Sequence, residues 1–155
     1  MKLTTNAENV DVLYEDNHVI AVNKRVGDIV QGDKTGDIPL SEIVKAYLKK
    51  KYNKPGEVFL GVVHRLDRPT TGVVLFAKTS KALARLNAMF ANKEEVQKTY
   101  WALVDAAPPA EQGMLTHWLV RNEKQNKSVA YQKEVQHSKK AVLHLSLIHI
   151  SEPTR

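Results

Sequence analysis

Arg65, Asp67 and Arg68 fall within four positions of one another in the stretch GVVHRLDRPTTGVVLFAK, residues 61–78. One carboxylate lies between two guanidinium groups, and the apolar runs Val62-Val63 and Val73-Val74-Leu75-Phe76 enclose this charged turn. Two neighbouring arginines favour the ionised carboxylate. An ionised aspartate suits a nucleophile or a base and suits a general acid poorly. The turn follows an apolar run, which places its charges at the floor of a cleft if that run is a buried strand. An aspartate in a turn also has a purely local use, accepting backbone N–H groups in an Asx-turn while the arginines stay solvated. The residue types alone leave both readings open.

Other chemistries fit less well. The run HRLD superficially resembles a kinase catalytic loop, but the chain lacks the His-Arg-Asp/Asn spacing, the Gly-rich loop and the Asp-Phe-Gly triplet which that chemistry needs. There is no phosphate-binding P-loop and no GxGxxG. The six histidines, at 18, 64, 117, 137, 144 and 149, form no His-Glu-x-x-His pattern. A glycosidase needs a second carboxylate beside the first, and the sequence nominates none.

The nine residues HRLDRPTTG, followed by an apolar strand pattern, resemble the signature of the RluA-type RNA pseudouridine synthases. VLYEDNHVIAVNK is similar to that family's opening strand pair, and QKTYWALV to its Lys-x-Tyr-x-Ala-Leu-Val strand. Order and spacing match from about residue 10 to residue 145. The resemblance implies isomerisation of uridine to pseudouridine in structured RNA, ribosomal or transfer RNA. It implies Asp67 as the catalytic nucleophile, Arg65 as the residue that fills the stack when the target uridine leaves it, and Tyr100 as the ring against the flipped uracil. It implies redox-neutral chemistry with no cofactor and no metal. Plainer roles stand beside these: a surface or ion-paired Arg65, a core aromatic Tyr100 on a strand, and a structural or phosphate-facing Lys98. The fold it implies is α+β, a mixed and mainly antiparallel sheet with flanking helices.

Two departures qualify the resemblance. Where the family commonly has Asn-Lys-Pro, this chain reads NKRVGD, with Arg25 in place of the proline, so the loop loses a fixed φ and gains a charge. The family also continues into later strands and a basic segment whose arginine pairs with the catalytic aspartate; nothing after about Leu145 follows that pattern. We therefore expect residues 1–145 to be the N-terminal part of a catalytic domain and 146–155 to be an off-pattern, foreign tail. A rival expectation is a non-catalytic RNA-binding or non-functional fragment. The family's frequent N-terminal RNA-binding domain has no counterpart in this sequence.

The surrounding elements are legible as patterns. VDVLYEDNHVIAVNK reads as two strands around Glu15-Asp16-Asn17-His18. Residues 26–39, with three glycines and three aspartates, read as a loop. Leu40, Ile43, Val44, Tyr47 and Leu48 repeat as one helical stripe, with Asp37 or Ser41 available as cap, lysines 49–51 at a solvated C-terminal end and Pro55-Gly56 as the stop. EVFLGVVHRLD and GVVLFAK read as successive strands. Thr79 or Ser80 caps a second helix whose apolar face is Leu83, Leu86, Met89 and Phe90. VQKTYWALV reads as a further strand, and residues from Met114 to Ile150 as strand-rich. Strands and helices do not alternate strictly, which indicates α+β.

The whole chain is 155 residues, 43% hydrophobic and 26% charged, with no cysteine. That is one domain's worth of a globular protein, without a disulfide framework or thiolate metal site. Neither a membrane-spanning run nor a signal peptide is legible, and the expected location is cytoplasmic. The net charge of +6 fits either a basic, soluble surface or a polyanionic partner, which the resemblance implies to be RNA. The oligomeric state is not legible.

Overall fold

The computed structural model describes residues 4–148 except 93, 107, 124 and 126. It divides into two compact units, residues 1–99 and 100–155. The expectation of a foreign tail falls largely on residues outside those described.

In the first unit the strands are β1 (Asp11–Glu15), β2 (Val19–Lys24), β3 (Gly61–Val62) and β4 (Gly72–Ala77), and the helices are α1 (Leu40–Lys51) and α2 (Ser80–Ala91). The sheet order is β1-β2-β4-β3 and every pairing is antiparallel. Side chains alternate along a strand. Ile20, Val22 and Lys24 therefore share one face of β2, and all three are fully buried. Val74 and Phe76 join that face from β4, and Leu40, Val44 and Leu48 of α1 cover it. Each fully buried aliphatic or aromatic side chain here contributes about 1.5–3 kcal/mol by leaving water.

The ends of α1 differ from the sequence reading. Neither Asp37 nor Ser41 caps it; the N-cap is Pro39, with no side-chain bond. The first helical amides, of Leu40 and Ser41, donate instead to the carbonyls of Ile29 and Val30, at 2.7 and 3.2 Å. The buried loop thus satisfies amides that a side chain would otherwise meet. The helix stops before Pro55-Gly56. Asn53 takes a left-handed φ of 49°, its amide bonds Lys50 O, and the Lys54 amide bonds Lys49 O. That is a Schellman closure, with asparagine in glycine's usual place.

The strand expected over residues 57–67 is only two residues long. Beyond Val62 the amide of Leu75 on β4 donates to His64 Nε2 at 3.0 Å, so an imidazole replaces the main-chain acceptor that a longer β3 would supply. α2 begins as expected, with Thr79 Oγ1 accepting from the Ala82 amide at 3.1 Å. Its apolar face is only partly covered: Ala82 is buried, while Leu83, Leu86 and Phe90 are half-buried.

The second unit contains β5 (Gln112–Asn122), β6 (Lys127–Tyr131) and β7 (Lys139–Ser146), in the order β6-β5-β7 and antiparallel. None of its described residues is buried. The strand expected over 96–104 does not form. Trp101 and Leu103 are 87% and 88% exposed, and no strand among the described residues pairs with this segment. Strand propensity without a ladder leaves an extended segment only.

Candidate active site

The candidate site is the loop joining β3 to β4, residues 63–71. Its fixed point is Lys24, the last residue of β2 and inward-facing by the alternation that buries Ile20 and Val22. The buried ammonium donates to three carbonyls: Arg25 at 3.2 Å, Arg68 at 3.1 Å and Thr70 at 2.7 Å. Burial pulls its pKa below the ordinary 10.5; the carboxylates of Asp28 and Asp67 oppose that pull and Arg68 adds to it. The Arg68 carbonyl also accepts the Gly27 amide at 2.9 Å, and the Thr70 amide closes a turn on the Asp67 carbonyl at 3.0 Å. The Asp67–Thr70 turn is thus held from below through the carbonyls of Arg68 and Thr70. At the exit Gly72 has φ 129°, a conformation other residues rarely adopt.

The loop beneath is tied in as well. The Arg25 amide donates to Asp28 Oδ2 at 3.3 Å, and its guanidinium reaches the Asn9 carbonyl at 2.9 Å. A proline there would lack that amide. Thr5 Oγ1 donates to the same Asp28 oxygen at 2.8 Å.

Asp67 itself is exposed. Among the described residues its carboxylate accepts no hydrogen bond and forms no ion pair, so it is not engaged in an Asx-turn. The expectation that both arginines flank it is corrected here. Arg68 turns away, pairing with Asp37 at 2.7 Å and Asp33 at 3.6 Å and donating to Thr35 Oγ1 at 2.9 Å. The cation beneath the turn is Lys24, which sequence reasoning missed although the period of two pointed it inward. The expected cleft floor is also corrected: with β3 so short, Arg65 and Asp67 face solvent on an exposed loop. Arg65 has no hydrogen-bond or ion-pair partner among the described residues.

His64 anchors the other end of the loop. Its ring stacks on Phe90 of α2, centroids 4.9 Å apart and 16° from parallel. Burial, and then the charge of Lys98, lowers its pKa below the ordinary 6.5, consistent with the neutral imidazole that accepts from Leu75. The structure therefore places Arg65 and Asp67 together on one pinned loop. Tyr100 opens the second unit, in the extended segment, and is 58% exposed. Among the described residues no three of His, Asp or Glu converge as metal ligands.

An antiparallel α+β unit that presents an unpaired carboxylate on a pinned loop is the frame on which the comparisons bear. The family model described as RNA pseudouridylate synthase matches residues 18–155, and the chain belongs to that family. A ribosomal large subunit pseudouridine synthase C of Vibrio cholerae is 38% identical over 112 residues, covering 72% of this chain and 33% of the relative. The Escherichia coli protein of the same name is 40% identical over 93 residues, 60% of this chain and 27% of its own. The chain thus spans about a third of the length of these curated relatives. Human RNA Pseudouridylate Synthase Domain Containing 4 shares the fold, with a TM-score of 0.71 at 23% identity, over 88% of this chain and 53% of that one.

Proposed function

We propose that this chain isomerises uridine to pseudouridine in RNA, with Asp67 as nucleophile and ribosomal RNA as the substrate class. The observation that carries the reading is the exposed, unengaged carboxylate of Asp67 on a turn whose backbone Lys24 and Gly27 hold. A nucleophile needs a free lone pair and a fixed position, and this one has both. In the net reaction the bond from ribose C1′ to uracil N1 breaks and a bond from C1′ to C5 forms. The C5 proton leaves to solvent and N1 gains one. A uridine inside a stack does not present these atoms, so the base leaves the stack. Arg65, uncommitted and two residues from Asp67, is the side chain we assign to the vacated space, and Tyr100 the ring we assign to the uracil. Family kinship and the ribosomal names of the relatives support the substrate class.

The test follows tritium released from RNA labelled at uracil C5. Asp67→Asn lowers release on the order of a thousandfold or more, with RNA affinity and melting temperature close to those of the unaltered chain. Near-normal release by the variant would sink the assignment.

A second reading has its own support. The segment 100–104 exposes Tyr100, Trp101, Leu103 and Val104 with no ladder partner among the described residues. On that reading the chain binds RNA without turning it over, and the tritium assay registers nothing with either form.

A further inference from the structure

We propose that a second RNA contact lies at the far end of the first unit's sheet, where a groove between the start of β2 and α2 takes one nucleotide of the substrate strand, its phosphate on Lys81 and Arg85. The groove holds about 340 Å³ and is lined by His18, Val19, Lys81, Arg85, Leu86 and Met89, with Ala82 beneath. That is near the lower end of the range for small-molecule sites.

Charge marks the groove. α2 carries no acidic residue from Ser80 to Ala91, and Lys81 and Arg85 stand one turn apart, where like charges repel. Among the described residues neither makes a hydrogen bond or an ion pair. By contrast Lys45, Lys50, Lys51, Lys78 and Arg68 of the same unit each meet a carboxylate. The two acids that shortly precede His18 in the chain are engaged elsewhere. Asp16 accepts from the amides of His18 and Val19 and from the Tyr14 hydroxyl. Glu15 takes Lys51, Lys78 and Tyr52. An anion bridging Lys81 and Arg85 relieves their repulsion, and nothing within the unit supplies one.

The floor separates nucleotides from other anions. Val19, Leu86 and Met89 give an apolar surface beside the two cations, and a methionine sulfur takes an aromatic face well. A base has such a face and its phosphate matches the cations. The position fits a flanking nucleotide. β2 and β4 pair from Val19↔Ala77 at the groove to Lys24↔Gly72 at the Asp67 turn. Five strand steps span about 17 Å. That is the length of several stacked nucleotides. The inference rests on the reading above that the substrate is RNA.

The experiment is fluorescence anisotropy of the full chain with a labelled 20-nucleotide RNA carrying 4-thiouridine, at several salt concentrations, followed by photo-cross-linking. The Lys81→Gln/Arg85→Gln pair weakens binding about five- to tenfold at low salt. It makes the log–log salt slope shallower by about 0.7, the share of the one phosphate that Lys81 and Arg85 hold. The exposed positions keep the melting temperature unchanged, and Lys81→Arg/Arg85→Lys retains affinity. Cross-links in the unaltered chain include a peptide bearing His18 or Met89, and they vanish in the Gln pair. Unchanged slope and affinity in the Gln pair, with cross-links confined to residues 63–71, would overturn the groove while leaving the RNA reading intact. Competition by oligoglutamate as strong as by unlabelled RNA would overturn the nucleotide assignment. Absence of any RNA binding by the unaltered chain would overturn both.

Discussion

A buried ammonium is tolerated only when its protons find acceptors, and Lys24 finds three. Those acceptors lie on both sides of the loop system, one at Arg25 and two in the turn that bears Asp67, so a single side chain sets the height of the carboxylate above the sheet. Lys24→Met keeps the apolar stem and removes the donor. The variant leaves the Thr70 carbonyl without its donor, while the Arg25 and Arg68 carbonyls keep the amides of Asp28 and Gly27, and it loses about 1–3 kcal/mol of stability, read as a lower denaturant midpoint. Tritium release falls further than stability does, because the turn is no longer held. An unchanged midpoint would show that water replaces the ammonium at no cost. HRLDRPTTG was legible because its residue types are chemically loud. Lys24 was not, because a lysine closing a strand is ordinarily solvated and only its alignment with Ile20 and Val22 marks it as inward. Arg68 misled for a related reason: adjacency in sequence to Asp67 says nothing about which way a long side chain turns, and its partners Asp33 and Asp37 lie 35 and 31 residues upstream of it.

At the level of elements, the stripe of α1 was read correctly because burial falls on one face of the helix, and β1, β2 and β4 form where strands were expected. The errors lie at ends and pairings. Loop carbonyls rather than a side chain meet the first amides of α1, and an imidazole rather than a strand meets Leu75; no local pattern encodes either. Residues 96–104 have strand composition, but a strand exists only with a neighbour. Gly72 is the element-scale position where sequence and geometry agree. An added Cβ would meet only Leu66 Cδ1, at 3.9 Å, so space is available and the φ of 129° alone decides. Gly72→Ala is expected to cost about 1–3 kcal/mol, seen as a lower melting temperature. A variant as stable as the parent would mean that the loop re-enters β4 by another backbone path.

Across the molecule the two units are built on different terms. The first has a closed apolar core and one polar hub. In that hub Glu15 of β1 holds Lys51 of α1 and Lys78 after β4, each at 2.7 Å, and the Tyr52 hydroxyl, also at 2.7 Å. Burial alone would raise the pKa of Glu15, but these donors outweigh it and bring it from 4.5 to about 2. A carboxylate with a lowered folded-state pKa stabilises the fold fully above its unfolded value and loses that contribution as pH falls. The first unit therefore weakens between pH 4.5 and about 2. Glu15→Gln removes about 1–3 kcal/mol at neutral pH and flattens that acid dependence. Thermal melts of both forms across this range check it, and parallel curves would show that Glu15 is not the titrating group. The second unit has no buried described residue, and Met114, Leu115, Val129, Val142 and Leu143 are exposed, with apolar side chains on both faces of its sheet. Three strands without a covering layer are marginal by themselves. No helix among the described residues is long and apolar enough to cross a membrane.

The imidazole at the end of β3 makes one backbone amide answerable to a side-chain titration. While His64 is neutral, the Leu75 N–H is closed by Nε2; once the ring takes up a proton there, the acceptor is gone. Hydrogen exchange at Leu75 is consequently tied to the charge of His64, whereas the neighbouring amides of β4 that bond to β2 are not. Opening at that one rung loosens the segment from His64 to Gly72 while the sheet it hangs from stays paired, so acidification reaches the loop bearing Asp67 through a single side chain.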